Sequence, residues 1–370
     1  MGEPNDADDL QRLRDALTSV DTKLLSLVAQ RQALSLSIGR AKRTLGMGTR
    51  DFAREKLVLD RAHALGEAHG LPDGLAERLL LLLIEASLSA QEQDRVGHAG
   101  AGVGRNALVI GGAGKMGRWF STFLANQGWD VEVADPRAGA EGLAHRPEWR
   151  DGPLDHDLIV VATPLSTTDA VLCALAQRRP PGVVLDVASL KAPLRAGLTA
   201  LRDAGVAVTS IHPMFGPDVN LLSGRHVLIV DLGVPRANAL AARLFEATMA
   251  ELTTVDLDAH DQLMAWILGL SHALNLAFVG ALARSGAEVP KLNRISSSTF
   301  AAQLGVATRV SHENPALYYE IQALNDHGHA SLNALVDAVT RLRDHVASHD
   351  REAFIAAMIE GRHYLASRQA

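Results

Sequence analysis

A glycine-rich turn, Gly111-Gly112-Ala113-Gly114-Lys115-Met116-Gly117, stands directly behind the apolar run Ala107-Leu108-Val109-Ile110. A strand that feeds such a turn, with a helix behind it, opens a dinucleotide-binding βαβ unit. Domains of that kind usually begin with the turn, yet here it lies more than a hundred residues into a chain of 370. The residues in front must therefore be a module of their own, and the stretch behind the turn is long enough to bury at least one further core.

Composition narrows the class. A net charge of −6, with the signs interspersed and no basic stripe or tail, argues against a nucleic-acid partner. The single cysteine, Cys173, excludes a disulfide framework and any cysteine-based zinc site, and no metal is expected. The first ten residues are acidic and polar, unlike a signal peptide. The longest uninterrupted aliphatic run, Leu79 to Ile84, is too short to span a bilayer. The expectation is a soluble cytoplasmic protein with no membrane or nucleic-acid partner.

Hydrophobic periodicity divides the chain. Leu10, Leu13, Leu17, Val20, Leu24, Leu27 and Val28 recur at helical spacing, so one long helix is expected from Asp9 to about Leu45. Gly46 and Gly48 stop it, Asp51 can cap a second helix reaching Gly70, and a third is expected from Pro72 to about Val96. Residues 97–105 read as a flexible glycine-rich linker. Five short β-rich runs (107–111, 130–134, 158–162, 183–187 and 206–211) then alternate with helical segments, the pattern of a parallel sheet with crossover helices. From about Leu257 the pattern is helical again. The expected domains are 1–96, all-helical; 106–256, a Rossmann-type dinucleotide domain; and 257–370, a helical substrate and dimerisation domain.

An amphipathic helical arm could serve dimerisation alone, but the polar residues of the first module point further. Arg31 and Lys42 are eleven residues apart and about 20° out of phase, so they share a helix face. Asp51, Arg54 and Glu55 open the second helix, and Ser87 and Gln91 are an i, i+4 pair on the third. Arg14 precedes Lys42 by 28 residues, about 42 Å along a straight helix. Both cannot touch one small ligand unless Arg14 comes from an antiparallel second copy, which implies an intertwined dimer.

This spacing of eight polar positions resembles the all-helical chorismate mutases without a gap. The resemblance implies that Arg14 (from the partner) and Arg31 hold the carboxylates of chorismate, while Lys42 and Gln91 face its ether oxygen. It assigns Arg54, Asp51 and Glu55 to positioning, with Glu55 near the ring hydroxyl, and Ser87 to substrate binding. Two arginines suit a dianion. A pericyclic rearrangement needs only orientation and stabilisation of developing charge.

In the second module Gly112, Gly114 and Gly117, with Lys115 and Met116 between them, have the strand–turn–helix context the motif requires. Gly112 is expected to allow the tight turn, Gly114 the approach of the pyrophosphate, and Gly117 close helix packing. The next strand ends at Asp135, eighteen residues after Gly117. A carboxylate there can hold the ribose 2′-hydroxyl and repel a 2′-phosphate, so NAD is expected, although neighbouring Arg137 leaves NADP open. Thr163 and Pro164, behind the run 158–162, are expected on the nicotinamide side.

The run Val206 to Ile211 leads straight into His212-Pro213-Met214-Phe215-Gly216-Pro217-Asp218. A histidine at the carboxyl end of a parallel strand lies where open α/β sheets bind ligands, and its pKa range suits proton transfer. This string resembles the catalytic segment of prephenate dehydrogenases, as do Asp186-Val-Ala-Ser189-Leu-Lys191, His260-Asp261-Gln262 and His272. From about residue 9 to 368 the chain resembles the fused chorismate mutase–prephenate dehydrogenases, the T-protein family. The resemblance implies a homodimer and tyrosine biosynthesis. His212 would take the proton of the ring hydroxyl, Ser189 would orient His212 or that hydroxyl, His272 would line the site, and Arg309 would bind substrate. Tyrosine feedback inhibition is implied by the family alone.

One position departs from the family. Its segment resembling Ser-Ser-Pro-x-aromatic-Arg supplies a carboxylate-binding arginine, whereas here Ser296 to Phe300 is followed by Ala301. Arg294, seven residues earlier and nearly in phase on a helix, is a candidate replacement. Two alternatives stay open at this point. The same steps could act on 4-amino-4-deoxychorismate and 4-amino-4-deoxyprephenate, or a working mutase could carry a degenerate, regulatory dehydrogenase.

Overall fold

Three helices precede the first strand in the computed structural model, which describes residues 6–137 and 142–366. Helix α1 (Asp6–Thr44) runs for 39 residues. α2 (Phe52–Ala68) is capped by Asp51, whose carboxylate accepts the Arg54 amide. α3 (Leu75–Ala99) packs against both. It starts later than Pro72 suggests, because the Pro72 carbonyl instead closes a turn onto the Leu75 amide. Leu10, Leu13, Leu17, Val20, Leu24 and Leu27 form an exposed apolar stripe along the first half of α1.

The expected flexible linker is not flexible in form. α3 extends to Ala99, and Val96 is buried in the core of the sheet domain. Gly102 donates its amide to Gln127 O and lies so close to the Trp129 ring that a Cβ would collide with it. Gly102 answers a close approach, whereas Gly100 and Gly104 hold positive φ of 57° and 76°.

The sheet domain comprises β1 (Asn106–Ile110), α4 (Lys115–Asn126), β2 (Asp130–Ala134), β3 (Ala144–Arg146), β4 (Leu158–Val161), α5 (Leu165–Arg178), β5 (Val183–Asp186), α6 (Arg195–Asp203), β6 (Ala207–Pro213), β7 (His226–Asp231), α7 (Pro235–Phe245) and β8 (Glu251–Asp256). The strand order is β3-β2-β1-β4-β5-β6-β7-β8. β1 to β6 pair in parallel, β7 lies antiparallel to β6, and β8 runs parallel to β7. Successive residues bury on opposite faces. Val109, Val133, Val160 and Leu185 meet Phe120, Leu124 and Phe245 of α4 and α7. Leu108, Ile159, Val161 and Val184 meet Leu172, Leu175, Leu198 and Leu201 of α5 and α6.

The remainder is helical. α8 (Leu257–Met264) passes through a π-helical turn, Ala265–Leu270, into α9 (Ser271–Arg284). This Leu257–Arg284 helix is long and apolar enough to cross a membrane by length and composition, which the short Leu79–Ile84 run does not suggest. Its Trp266, Ile267, Leu274 and Leu276 are exposed in the single chain. α10 (Val289–Arg294), α11 (Ser298–Ser311), α12 (Pro315–Ala323), α13 (Gly328–Ala347) and α14 (Arg351–Ala366) complete the described chain.

Candidate active sites

The first candidate site lies among α1, α2 and α3. Arg31, Lys42, Asp51, Arg54, Glu55, Ser87 and Gln91 all line one cavity of about 350 Å³, walled on its apolar side by Leu34, Ile38, Val58, Leu80, Ile84 and Leu88. Arg31 donates from Nη1 to Ser87 Oγ at 2.6 Å and to Leu83 O at 2.7 Å, and burial lowers its pKa. Lys42 Nζ donates to Thr49 O at 3.0 Å. Gln91 Nε2 donates to Ser35 O and Oγ, while its Oε1 is buried with no hydrogen-bond partner.

Three residues without a role in the sequence motif complete this site. Gly39 lets α1 and α3 approach, since a Cβ there would come 2.7 Å from Gln91 Cγ. Thr49 O receives the Lys42 ammonium. Arg50 grips Glu55 with two bonds, Nε to Oε1 at 3.1 Å and Nη2 to Oε2 at 3.0 Å. A glycine inside an otherwise helical run is the available signal for the first; the Arg50–Glu55 pair has no helical spacing to reveal it. Arg14 is exposed on the uncovered half of α1 and is absent from the cavity lining, as its distance along the helix requires.

The second site opens where the strand order reverses, between the carboxyl ends of β1 and β4. The positive φ of the turn falls on Gly111 (83°) rather than on Gly112, and a Cβ on Gly111 would also collide with Ala162 O, just past β4. Gly112 backs onto Val133 instead, with room for no Cβ. A Cβ on Gly117 would collide with Gly111 O, so the α4 amino terminus lies directly on the turn. Met116 packs partly buried on the core, and Lys115 is exposed. Asp135 is buried at the end of β2. Its Oδ2 accepts the Ala113 amide at 3.1 Å, and its Oδ1 accepts both the Arg137 amide at 2.9 Å and Arg137 Nε at 3.3 Å, which leaves acceptor capacity on Oδ2. Thr163 bonds Thr168 in the first turn of α5, and Pro164 stands at the amino end of that helix.

His212 lies within β6, paired to Leu228 of the antiparallel β7. It is buried, and its Nδ1 is 3.0 Å from Nε2 of His260. His260 Nδ1 is 2.6 Å from Asp261 Oδ1. Asp261 also accepts the amides of Lys191 and Ala192. Beneath this chain Lys191, fully buried, pairs with Asp186 at 2.8 Å and donates to Ala188 O and Ile211 O. Burial, with the Lys191 charge and the neighbouring His260 imidazole adding to it, holds the His212 pKa well below the usual histidine range.

The remaining expected residues are placed differently. Ser189 is half-buried in the loop after β5, and the His212 nitrogen bonded within the protein goes to His260 instead. His272 stacks on Tyr318 with ring centroids 4.0 Å apart, and its buried Nδ1 has no partner. Ala301 and Arg309 are both exposed on α11. The helical phase expected to let Arg294 replace a residue at 301 does not exist. α10 ends at Arg294, and Ser297 caps a new helix through the Phe300 amide.

Comparisons with known proteins cover both sites. Residues 13–92 match the family model of chorismate mutase type II, residues 143–252 that of the prephenate dehydrogenase nucleotide-binding domain, and residues 256–360 that of the prephenate dehydrogenase dimerization domain. The T-protein of Enterobacter agglomerans is 28% identical, covering 94% of this chain and 91% of its own. A 4-amino-4-deoxyprephenate dehydrogenase of Streptomyces pristinaespiralis is 29% identical, over 73% of this chain and 95% of its own. The fold resembles a prephenate dehydrogenase from A. aeolicus in complex with hydroxyphenyl propionate and NAD+. That match has a TM-score of 0.57 and 16% identity, and covers 71% of this chain and 98% of that one.

Proposed function

Because this chain belongs to the bifunctional chorismate mutase–prephenate dehydrogenase family, we infer that it performs both reactions in turn. Chorismate is rearranged to prephenate, and prephenate is oxidatively decarboxylated to 4-hydroxyphenylpyruvate. The observation that carries this reading is the convergence of Arg31, Lys42, Arg54, Glu55 and Gln91 on one cavity, in a chain that also buries His212 in the sheet domain.

In the mutase step Arg31 would clamp a carboxylate and Lys42 would meet the charge growing on the ether oxygen. Gln91 would have to release Nε2 from Ser35 O and Oγ to donate to the ether oxygen. A second copy would supply Arg14 and cover the leucine stripe of α1, and the exposed face of Leu257–Arg284 suits the same homodimer.

In the dehydrogenase step the glycine turn, the α4 amino terminus and Asp135 fit a dinucleotide, and a carboxylate at Asp135 favours NAD over NADP. When bound, the dinucleotide supplies the acceptor for the hydride that leaves ring C4. His212 takes the proton of the C4 hydroxyl. The bond to the ring carboxylate then breaks, its electron pair completes the aromatic ring, CO2 departs, and the proton returns to the ring oxygen. Tyrosine, formed from this product by amination, is the effector we would test for feedback inhibition.

The test is an assay of chorismate loss without cofactor, and of NADH formation from prephenate. Mutase activity with no prephenate-dependent NADH would leave the second module without its assigned reaction.

A further inference from the structure

We propose that His260 and Asp261 are positioning residues for the dehydrogenase: Asp261 sets the tautomer of His260, and His260 sets that of His212. The proposal rests on the reading of His212 as the proton acceptor. It goes beyond that reading by explaining which ring nitrogen is free to act.

Asp261 is held on three sides. Lys191 N donates to Oδ1 at 2.9 Å and to Oδ2 at 3.1 Å, Ala192 N donates to Oδ2 at 2.6 Å, and Asn325 Nδ2 holds the Asp261 backbone carbonyl at 2.9 Å. Burial raises its carboxyl pKa, but His260 and the two amides together bring it below the ordinary value. An ionised carboxylate only accepts hydrogen bonds. The 2.6 Å contact to His260 Nδ1 therefore places a proton on that nitrogen. Burial keeps His260 neutral by lowering its pKa, with the Lys191 charge adding to the effect and Asp261 opposing it. Its Nε2 is thus a bare acceptor, and the 3.0 Å contact to His212 Nδ1 places the second proton there. His212 Nε2 is left with its lone pair.

The titratable groups facing this pair are Asp186 and Lys191 from the β5 end and Asp261 from α8. Lys191 and Asp186 neutralise each other at 2.8 Å, so Asp261 remains the carboxylate that the imidazole chain can lean on. When His212 Nε2 takes the substrate proton, the positive charge can be shared toward Asp261 through hydrogen bonds of 3.0 and 2.6 Å. His260 and Asp261 lie on α8, outside the sheet that carries His212. The docking of the helical domain thus completes the acid–base machinery of the sheet domain.

Three variants test this in the full chain. Asp261→Asn can keep its oxygen on the Lys191 and Ala192 amides, which turns an NH2 donor toward His260. That would reverse both tautomers and protonate His212 Nε2. Dehydrogenase kcat should fall about a hundredfold or more, by analogy with triads whose orienting aspartate is replaced. KM, NAD+ affinity and mutase activity should stay within about threefold if only proton transfer is affected. His260→Leu should lose kcat similarly, and His260→Gln, whose Oε1 can accept from His212 Nδ1, should recover to within about tenfold of the unmodified rate. Unchanged kcat in Asp261→Asn and His260→Leu, or equal losses in the Gln and Leu variants, would overturn the proposal. Imidazole 15N NMR of the unmodified chain reads the same point without turnover. Both rings should be protonated at Nδ1, and an Nε2-protonated His212 overturns the relay. If prephenate is not turned over at all, the functional reading fails while this measurement still decides the tautomers.

Discussion

The carboxylate of Glu92, on the last helix of the N-terminal module, accepts the backbone amide of Leu222 in the sheet domain at 2.7 Å. Its second oxygen accepts the Met249 amide at 2.5 Å, and the side chain is buried. Gln91, the preceding residue, lines the opposite cavity, so consecutive positions of α3 serve two domains. Ser89 Oγ on Asn220 O and Arg50 on Ser223 Oγ reinforce the contact. Arg50 is also the residue that grips Glu55.

Removing Glu92 should therefore loosen the two modules from each other. Glu92→Ala leaves two amides without an acceptor, and each unsatisfied buried group costs about 1–3 kcal/mol. Calorimetry should show a lower Tm and a split of the transition, with both activities retained at low temperature. An unshifted single transition would mean that the modules are held by other contacts.

The mutase site should depend on cations from two chains. Lys42→Ala and Arg31→Ala should each reduce mutase kcat/KM by about a hundredfold or more, the scale for losing one preorganised donor. Arg14→Ala should do so as well, although Arg14 is remote from the cavity within its own chain. Mixing Arg14→Ala with Lys42→Ala under subunit exchange should restore activity, since a mixed dimer regains one intact site. Demonstrated exchange without recovery would exclude an intertwined dimer.

The features legible in the sequence are those carried by periodicity and by motifs that are local in the chain. The first-helix leucines, the glycine turn and the strand ending at Asp135 are visible because their physics repeats within a few residues. β3 escapes notice because it is three residues long, and β8 because its residues are largely exposed. The pairing of His212 with His260 spans 48 residues and depends on how α8 docks, which no local pattern encodes. The glycines of 97–105 mislead for the opposite reason. Composition signals freedom, whereas Gly102 is there to clear the Trp129 ring.

Asp135 braces the glycine turn through the Ala113 amide, and the proposed dinucleotide would set its ribose against the same carboxylate, so the informative change is Asp135→Asn. The amide can still accept from Ala113 N, but the charge that repels a 2′-phosphate is gone. NAD+ affinity should fall on the order of tenfold, with NADP+ affinity rising, so the two Kd values converge. A preference that does not move would place the ribose elsewhere.

Burial lowers the His272 pKa to about 4. The unfolded chain, with an ordinary histidine pKa near 6.5, binds a proton that the folded state refuses. Above pH ~6.5 the residue is neutral in both states and has no effect. Stability is then lost as pH falls from there to about 4, where the folded ring finally charges. Melting temperatures of the unmodified chain and of His272→Gln should therefore diverge between neutral and mildly acidic buffer, the variant losing less. Parallel curves would assign the acid sensitivity to other groups.

Ala301 tests the substrate itself. Family resemblance places a carboxylate-binding arginine at this position, and neither Arg294, on a separate helix, nor Arg309, two turns further along α11, occupies it. Ala301 is exposed, so an arginine there can be accommodated without burying an unpaired guanidinium. If prephenate is the substrate, Ala301→Arg adds a charged hydrogen bond to a carboxylate that lacks one. Such a bond contributes about 1.5–3 kcal/mol, so KM for prephenate should fall on the order of ten- to a hundredfold with kcat preserved. A pocket adapted to the 4-amino-4-deoxy ring would respond differently, because its anchor has been moved and the new cation would compete with the substrate amine. A higher KM for prephenate in the variant, together with better turnover of the amino analogue by the unmodified chain, would reassign the substrate while leaving the His212 chemistry as it stands.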